Sequence, residues 1–342
     1  QKEDFAGLAG NDEIDGGLSL GRLRYDFDAS FGGSAGVKVD FVSGVAIDGF
    51  GSADIFTNID SVIGTNQDDV FIGIDGAQVF SGLGGSDFID GGADQFTLET
   101  LAFAGEELLG GAFDEVDYSS DFSSGGTLGV TVDLEAGTAI DGFGDTDTLR
   151  NIESVRGSLS DDKLTGDGNN NSFRGLAGND IIDGAAGVNR VDYDLDGNFG
   201  GLAGVTVNLA AGTAIDGFGD TDTLINITDV LGTDFSDTIM GDGADNVLEG
   251  SDGDDALSGG AGNDTINGGL GSVDTAVFKG NFDDYTITDN GGGSVTVADN
   301  LGTDGTDQLQ DVEFLKFADV TVNATNSIPV LDGVNTASFV ED

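Results

Sequence analysis

The chain has 342 residues, with 64 acidic side chains against 11 basic ones and a formal net charge of −53. This balance argues against nucleic acid and anionic membrane as partners, since both demand positive charge. Cys and His are absent, which removes the usual zinc sites, thiol nucleophiles, Ser-His triads and disulfides. No apolar run is long enough for membrane insertion. Acidity of this degree accompanies disorder in chains poor in aromatic and β-branched residues. Here 38% of residues are hydrophobic and 23 are Phe, so the charge overlies a chain that packs, and a neutralising cation would reconcile the two.

The chain opens on "QKEDF" and reads as a piece of a longer protein, with its first motif, "GLAGNDEID", at residue 7. Nonapeptides then tile from 64 ("GTNQDDVFI", "GIDGAQVFS", "GLGGSDFID"), from 157 ("GSLSDDKLT", "GDGNNNSFR", "GLAGNDIID", "GAAGVNRVD") and from 232 ("GTDFSDTIM", "GDGADNVLE", "GSDGDDALS", "GGAGNDTIN"). Their eighth position is always apolar, as in Phe71, Phe80, Ile89, Leu164, Phe173 and Ile182, so it points inward. Each nonapeptide predicts a turn over positions one to six and a short strand over seven to nine. Glycines at one, two and four supply the backbone freedom the turn needs.

Two nonapeptides make one coil of a parallel solenoid, with strands about 4.8 Å apart along each face. Position six then alternates between two edges. One edge stacks Asp69 on Asp87, Asp162 on Asp180 and Asp237 on Asp255; the other carries Gln78, Asn171, Asn189 and Asn246, with Asp264 the exception. A column of carboxylates repels itself unless cations lie between its members. Carboxylates together with carbonyls freed by Gly-rich turns suit Ca²⁺ better than the octahedral, water-retaining Mg²⁺.

Between the blocks, "AIDGFG" recurs at 46, 139 and 214, each copy followed by an Asp and then "NI". The preceding "VTVDL" and "VTVNL" alternate as strands do. The first spacing exceeds the second by 18 residues, an insert placed near 91–108 and read as one degenerate coil or a short helix that rejoins in register. The organisation expected is a first repeat unit over 1–92, a second over 93–183 carrying that insert, a third over 184–272, a β capping module over 273–323 built on a hairpin at "DNGGGS", and a linker or following domain over 324–342.

The nonapeptide resembles the G-G-x-G-x-D-x-U-x repeat of the RTX (repeats-in-toxin, hemolysin-type) family, whose parallel β-roll binds Ca²⁺. "GGAGNDTIN" fits the pattern in full; "GLAGNDIID", "GLAGNDEID" and "GLGGSDFID" depart only at the second glycine. The resemblance implies an all-β fold, a parallel β-roll with interleaved β segments and a C-terminal β cap. It implies multiple Ca²⁺ ions held by turn carbonyls and by Asp12, Asp69, Asp87, Asp162, Asp180, Asp237, Asp255 and Asp264. The "DGFGDTDTL" stretches resemble lengthened repeat turns and add Asp54, Asp147 and Asp222; Asp307 joins them from the cap.

Paired carboxylates also serve glycosidases, but among 64 acidic residues such pairing is uninformative, and no catalytic residue is expected. Ice binding by an outward Thr row would need Thr at position three, where Ala9, Gly84, Ala177, Asp252 and Ala261 stand. The reading preferred is a calcium-folded structural segment of a secreted extracellular or cell-surface protein (adhesin, S-layer or filament), exported by type I secretion, with self-association or a cell-surface partner. The alternative is the secretion and folding module of an RTX toxin or hydrolase.

Overall fold

The computed structural model describes residues 3–19, 21–92 and 113–324. Every nonapeptide forms the three-residue strand expected of it, for instance Lys163–Thr165, Ser172–Arg174 and Ile181–Asp183. In each the middle residue is apolar and buried. Phe71, Phe80, Ile89, Leu164, Phe173, Ile182, Val191, Ile239, Leu248, Leu257 and Ile266 are all 0% exposed. A strand this short buries only one apolar side chain, worth about 1.5–3 kcal/mol, so it persists only because the next coil stacks on it.

Two walls result. Within the nonapeptide blocks each residue pairs in parallel with the one 18 positions later, as Leu164 with Ile182 and Phe173 with Val191. The first sheet runs in parallel from Glu3–Phe5 to Thr306–Gln310 and ends on two antiparallel strands, Ser294–Asp299 and Tyr285–Gly291. The second runs open from Glu13–Asp15 to Thr321–Asn323, its end strands pairing on one side only.

The interleaved segments are where the structure adds to the sequence reading. Each supplies three strands to the second sheet rather than one strand and a turn. Thr131–Asp133, Thr138–Ile140 and Thr146–Arg150 fold back and forth antiparallel, with Val132 opposite Ala139 and Ala139 opposite Asp147. Four residues join the first two of these strands, too few for a parallel crossover. The outer strands of the trio pair in parallel with Phe88–Asp90 on one side and Lys163–Thr165 on the other, so the zigzag is spliced into the stack. Lys38–Asp40, Val45–Ile47 and Ala53–Thr57 repeat it, as do Thr206–Asn208, Thr213–Ile215 and Thr221–Ile225. The "NI" that follows has a reason. Asn58, Asn151 and Asn226 adopt left-handed φ of 55, 49 and 54°, which Asn tolerates better than most residues, and Asn151 Nδ2 donates to Asp90 Oδ1 at 2.7 Å.

The 18-residue insert splits a single turn. Gly91 stands against the carboxylate of Asp114, and Gly92 against the Ile74 carbonyl, as positions one and two of other turns stand against theirs. Asp114 thus takes position six, 23 residues after Gly91 instead of five, a difference of 18. The interruption therefore follows Gly92, and the interior of the expected insert lies outside the described residues. The strand Glu115–Asp117 pairs directly with Val79–Ser81 on one side and Ser154–Arg156 on the other, on consecutive rungs.

Beyond 273 the hairpin at "DNGGGS" is present, and Phe278, Phe282, Tyr285 and Phe317 cluster with ring centroids 5.1–5.4 Å apart to close the end of the core. Of the expected linker, 324–342, only Ala324 lies among the described residues, and it is buried in the core.

Candidate metal centre

The position-six residues form ladders. The backbone N–H of Asp69 donates to Asp87 Oδ1 at 2.8 Å, and that of Asp87 to Asp147 Oδ1 at 3.0 Å. Asp162, Asp180 and Asp222 repeat the sequence at 2.8 and 3.1 Å, and Asp237 donates to Asp255 at 2.8 Å. Asp12 donates to Asp54 Oδ1 at 2.9 Å. The turn of position six thus places one carboxylate oxygen of each rung on the N–H of the rung before. On the opposite edge Asn171 donates to Asn189 Oδ1, Asn246 to Asp264 Oδ1, and Asp264 to Asp307 Oδ1. All twelve sequence-predicted aspartates are brought into these ladders, in five separate groups.

Two members were missed. Asp274 accepts from the Asp255 N–H at 2.8 Å, 19 residues on rather than 18, because "GGLGSVDTAV" carries one extra residue and a strict nine-residue frame puts Val273 at position six. The recurrence of "DT" before the strand, as in "NDTIN", is the signal that locates it. Asp114 accepts from the Gln78 N–H at 2.7 Å and joins Asp264 and Asp307 as a third acid on the amide edge; counting back from "EVD" finds it.

The other oxygen of these carboxylates is the notable one. Oδ2 of Asp12, Asp54, Asp87, Asp180, Asp255, Asp264 and Asp274 is buried and without a hydrogen-bond partner. Burial pushes the Asp87 carboxyl up to about 10 and Asp180 up to about 9, with the carboxylates of the flanking rungs adding repulsion. Desolvation likewise raises Asp69, Asp147, Asp162, Asp222, Asp255 and Asp307 to about 7, and Asp237, Asp264 and Asp274 to about 6. Protein cations do not offset this. Among the described residues, the arginine ion pairs are made with Asp4, Asp26, Glu115, Asp117, Asp192 and Asp194, along the first sheet, while Arg150 of the second sheet lies over the Phe88 ring.

The donor set fits a hard cation bound jointly by side chain and backbone. Among the described residues no three acidic side chains meet as a self-sufficient chelate, so main-chain oxygens must complete any site. They are at hand. A Cβ on the position-four residues Gly85, Gly178 and Gly253 would lie 2.8 Å from the carbonyl oxygens of Gln67, Ser160 and Phe235, each in the preceding turn of the stack. These glycines have φ of 115, 131 and 135°. At position two, Leu83, Leu176 and Ser251 take a left-handed φ of 67, 65 and 75° even without glycine. Buried carboxylate oxygens and carbonyls between stacked turns suit Ca²⁺.

A family model, the RTX calcium-binding nonapeptide repeat, matches the chain in four copies, over residues 3–19, 72–95, 156–198 and 231–266. The matched stretches hold Asp12, Asp87, Asp162, Asp180, Asp237, Asp255 and Asp264; Asp54, Asp69, Asp147, Asp222 and Asp307 fall outside them. No curated protein matches the chain in sequence.

Proposed function

We propose that the chain, an array of RTX calcium-binding repeats arranged as a β-roll, is a structural segment that folds when Ca²⁺ fills its turns, and that it serves a secreted extracellular or cell-surface protein of the adhesin, S-layer or filament kind. The observation carrying this is the set of buried, partnerless Oδ2 oxygens, on both Asp12 and Asp54, on both Asp255 and Asp274, on the middle rungs Asp87 and Asp180, and on Asp264. The residues that would hold the ions are Asp12 and Asp54; Asp69, Asp87 and Asp147; Asp162, Asp180 and Asp222; Asp237, Asp255 and Asp274; and Asp264 with Asp307, each helped by carbonyls of the stacked turns. Bound calcium supplies the positive charge that lets these carboxylates stay ionised while buried. The chain's own part is to order the ladders, exclude water from the core and present the carbonyls.

No catalytic role is assigned. Export by type I secretion follows as part of this reading, because a roll that folds only at millimolar Ca²⁺ stays unfolded until it reaches such a medium. Among the described residues no helix is long and apolar enough to cross a membrane. Circular dichroism in excess chelator and in millimolar Ca²⁺ tests the reading: an unstructured spectrum should become β-rich. A β spectrum that persists after exhaustive chelation overturns it.

A further inference from the structure

The carboxylate ladder on the acidic edge is broken three times. Val37, Val130 and Val205, not aspartates, donate to Asp69, Asp162 and Asp237 at 2.6–2.7 Å. Each break lies where an interleaved zigzag enters the second sheet, between Asp54 and Val37, Asp147 and Val130, and Asp222 and Val205. Two aspartates that the repeat does not account for sit at each break.

The first is Asp28, Asp121 or Asp196, which opens a one-turn helix after Tyr25, Tyr118 or Tyr193. The second is Asp48, Asp141 or Asp216, which opens the "DGFG" loop. All six are at most 1% exposed. One oxygen of the first accepts the N–H of Gly49, Gly142 or Gly217 at 2.8–2.9 Å. One oxygen of the second accepts two N–H groups of its own loop, as Asp216 does from Phe218 and Asp220 at 3.0 and 2.8 Å. What remains is the same in all three copies: Asp28, Asp121 and Asp196 Oδ1, and Asp48, Asp141 and Asp216 Oδ2, are buried and partnerless.

A main-chain oxygen lies beside the same carboxylate, near the oxygen that accepts the glycine N–H. A Cβ on Gly49 would lie 3.0 Å from Asp28 Oδ2 and 3.1 Å from the Ala35 carbonyl oxygen. On Gly142 it would meet Asp121 Oδ2 at 3.0 Å and the Leu128 oxygen at 3.3 Å, and on Gly217 Asp196 Oδ2 at 2.9 Å and the Ala203 oxygen at 3.0 Å. Only glycine leaves this oxygen-lined space open. The loops otherwise differ ("YDFDASFGG", "YSSDFSSGG", "YDLDGNFGG"), yet Tyr, Asp and the Gly pair hold their places.

We propose that Asp28 with Asp48, Asp121 with Asp141, and Asp196 with Asp216 form three further Ca²⁺ sites, one in each interleaved segment, completed by main-chain oxygens of the surrounding loops. Two buried carboxylates, each with one partnerless oxygen, beside a carbonyl make an all-oxygen donor set of irregular geometry, which calcium accepts and magnesium resists. The sites bridge the gaps in the ladder and make the line of ions continuous along the edge. The proposal rests on the calcium reading above for the identity of the ion.

The chain has four Tyr and no Trp, and three of those Tyr adjoin these sites; Tyr118 and Tyr193 donate to Asp147 and Asp222 Oδ2 at 3.0 Å. Terbium(III) titrated into the full chain therefore reports on these sites together with the adjoining Asp147 and Asp222 rungs through tyrosine-sensitised luminescence, while equilibrium dialysis counts Ca²⁺. The doubly substituted D196N/D216N chain should bind one ion fewer and lose part of the sensitised signal. D264N, on the opposite edge, should lower the ion count without that loss of signal. Unchanged ion count and luminescence in D196N/D216N overturns the proposal. Should the double variant not fold in Ca²⁺, D196N alone, whose amide still accepts from Gly217, is measured, and an unaltered count there overturns it equally. A wild-type chain that binds no Ca²⁺ would instead overturn the proposed function.

Discussion

Asp180→Asn separates the two things the ladder does. In the ion-free roll, burial pushes the Asp180 carboxyl up to about 9, so at pH 7 it keeps a proton that an ordinary aspartate in the unfolded chain has lost. Holding that proton costs about 4 kcal/mol at pH 7. Asparagine is neutral in both states and removes the cost. It also keeps the acceptor for the Asp162 N–H, which lies 2.8 Å away. The opposite edge shows where its amide would go: Asn189 Nδ2 donates to the position-three carbonyl of its own turn at 3.1 Å. Osmolyte-driven folding in chelator at pH 7, followed by circular dichroism, should therefore show D180N more stable than wild type, by up to about 4 kcal/mol, with the gap closing as the pH falls toward 4. In Ca²⁺ titrations followed by circular dichroism the same variant should need about tenfold more ion, having lost a charged ligand. Asp180→Ala should be worse in both assays, since it leaves the Asp162 N–H buried without an acceptor, at about 1–3 kcal/mol. If D180N and D180A are equally destabilised in chelator, Asp180 carries no buried-charge penalty and the reasoning fails.

Three other outcomes are expected. The ion-free chain should gain β structure as pH falls: the carboxyls are raised above their unfolded values, to about 6–10, so their contribution is most favourable below pH 4 and is lost as pH rises through that range; circular dichroism in chelator at pH 5 and pH 8 checks the sign, with sedimentation to exclude aggregates. Deleting 93–110 joins Gly92 to Gly111 as an unbroken "GGGAFDEVD" turn and should preserve the Ca²⁺ midpoint, whereas deleting 93–101 should raise it by misplacing Asp114; equal losses would show that the insert is integral to the roll. Ser251→Gly should raise the urea midpoint in Ca²⁺ by the equivalent of about 1 kcal/mol, because Ser251 sits at a φ of 75° that L-residues resist; a loss of stability would refute it.

The parts of this molecule legible in its sequence are those that chemistry repeats. An apolar eighth residue every nine positions and an acid or amide at the sixth fix strand, core and edge together, and the 18-residue pairing follows. The zigzags were less legible because alternation looks the same in parallel and antiparallel strands; only the short "LEAG" link between Asp133 and Thr138 decides the direction. Asp274 was hidden by a single extra residue, Asp114 by the interruption before it. Asp28, Asp121 and Asp196 belong to no nonapeptide, and their role emerges only when the fold sets them against the "DGFG" loops.

The ladders also have a sense of direction. In every case the position-six N–H donates to a side chain that comes later in the sequence, Asp162 to Asp180 to Asp222, Asp237 to Asp255 to Asp274, and at the far end Asp264 to Asp307 and Asp274 to Glu313. A rung is therefore finished by its successor, never by its predecessor. Severing the stack leaves two unlike faces. The part that keeps its later rungs shows carboxylate oxygens, which water satisfies readily, while the part that loses them shows main-chain donors at the mouth of an apolar interior, where nothing replaces the missing acceptor. Asp307 and Glu313 are thus the keystones of an arch closed from one side, and a shortened chain should survive trimming of its early coils far better than removal of those two residues.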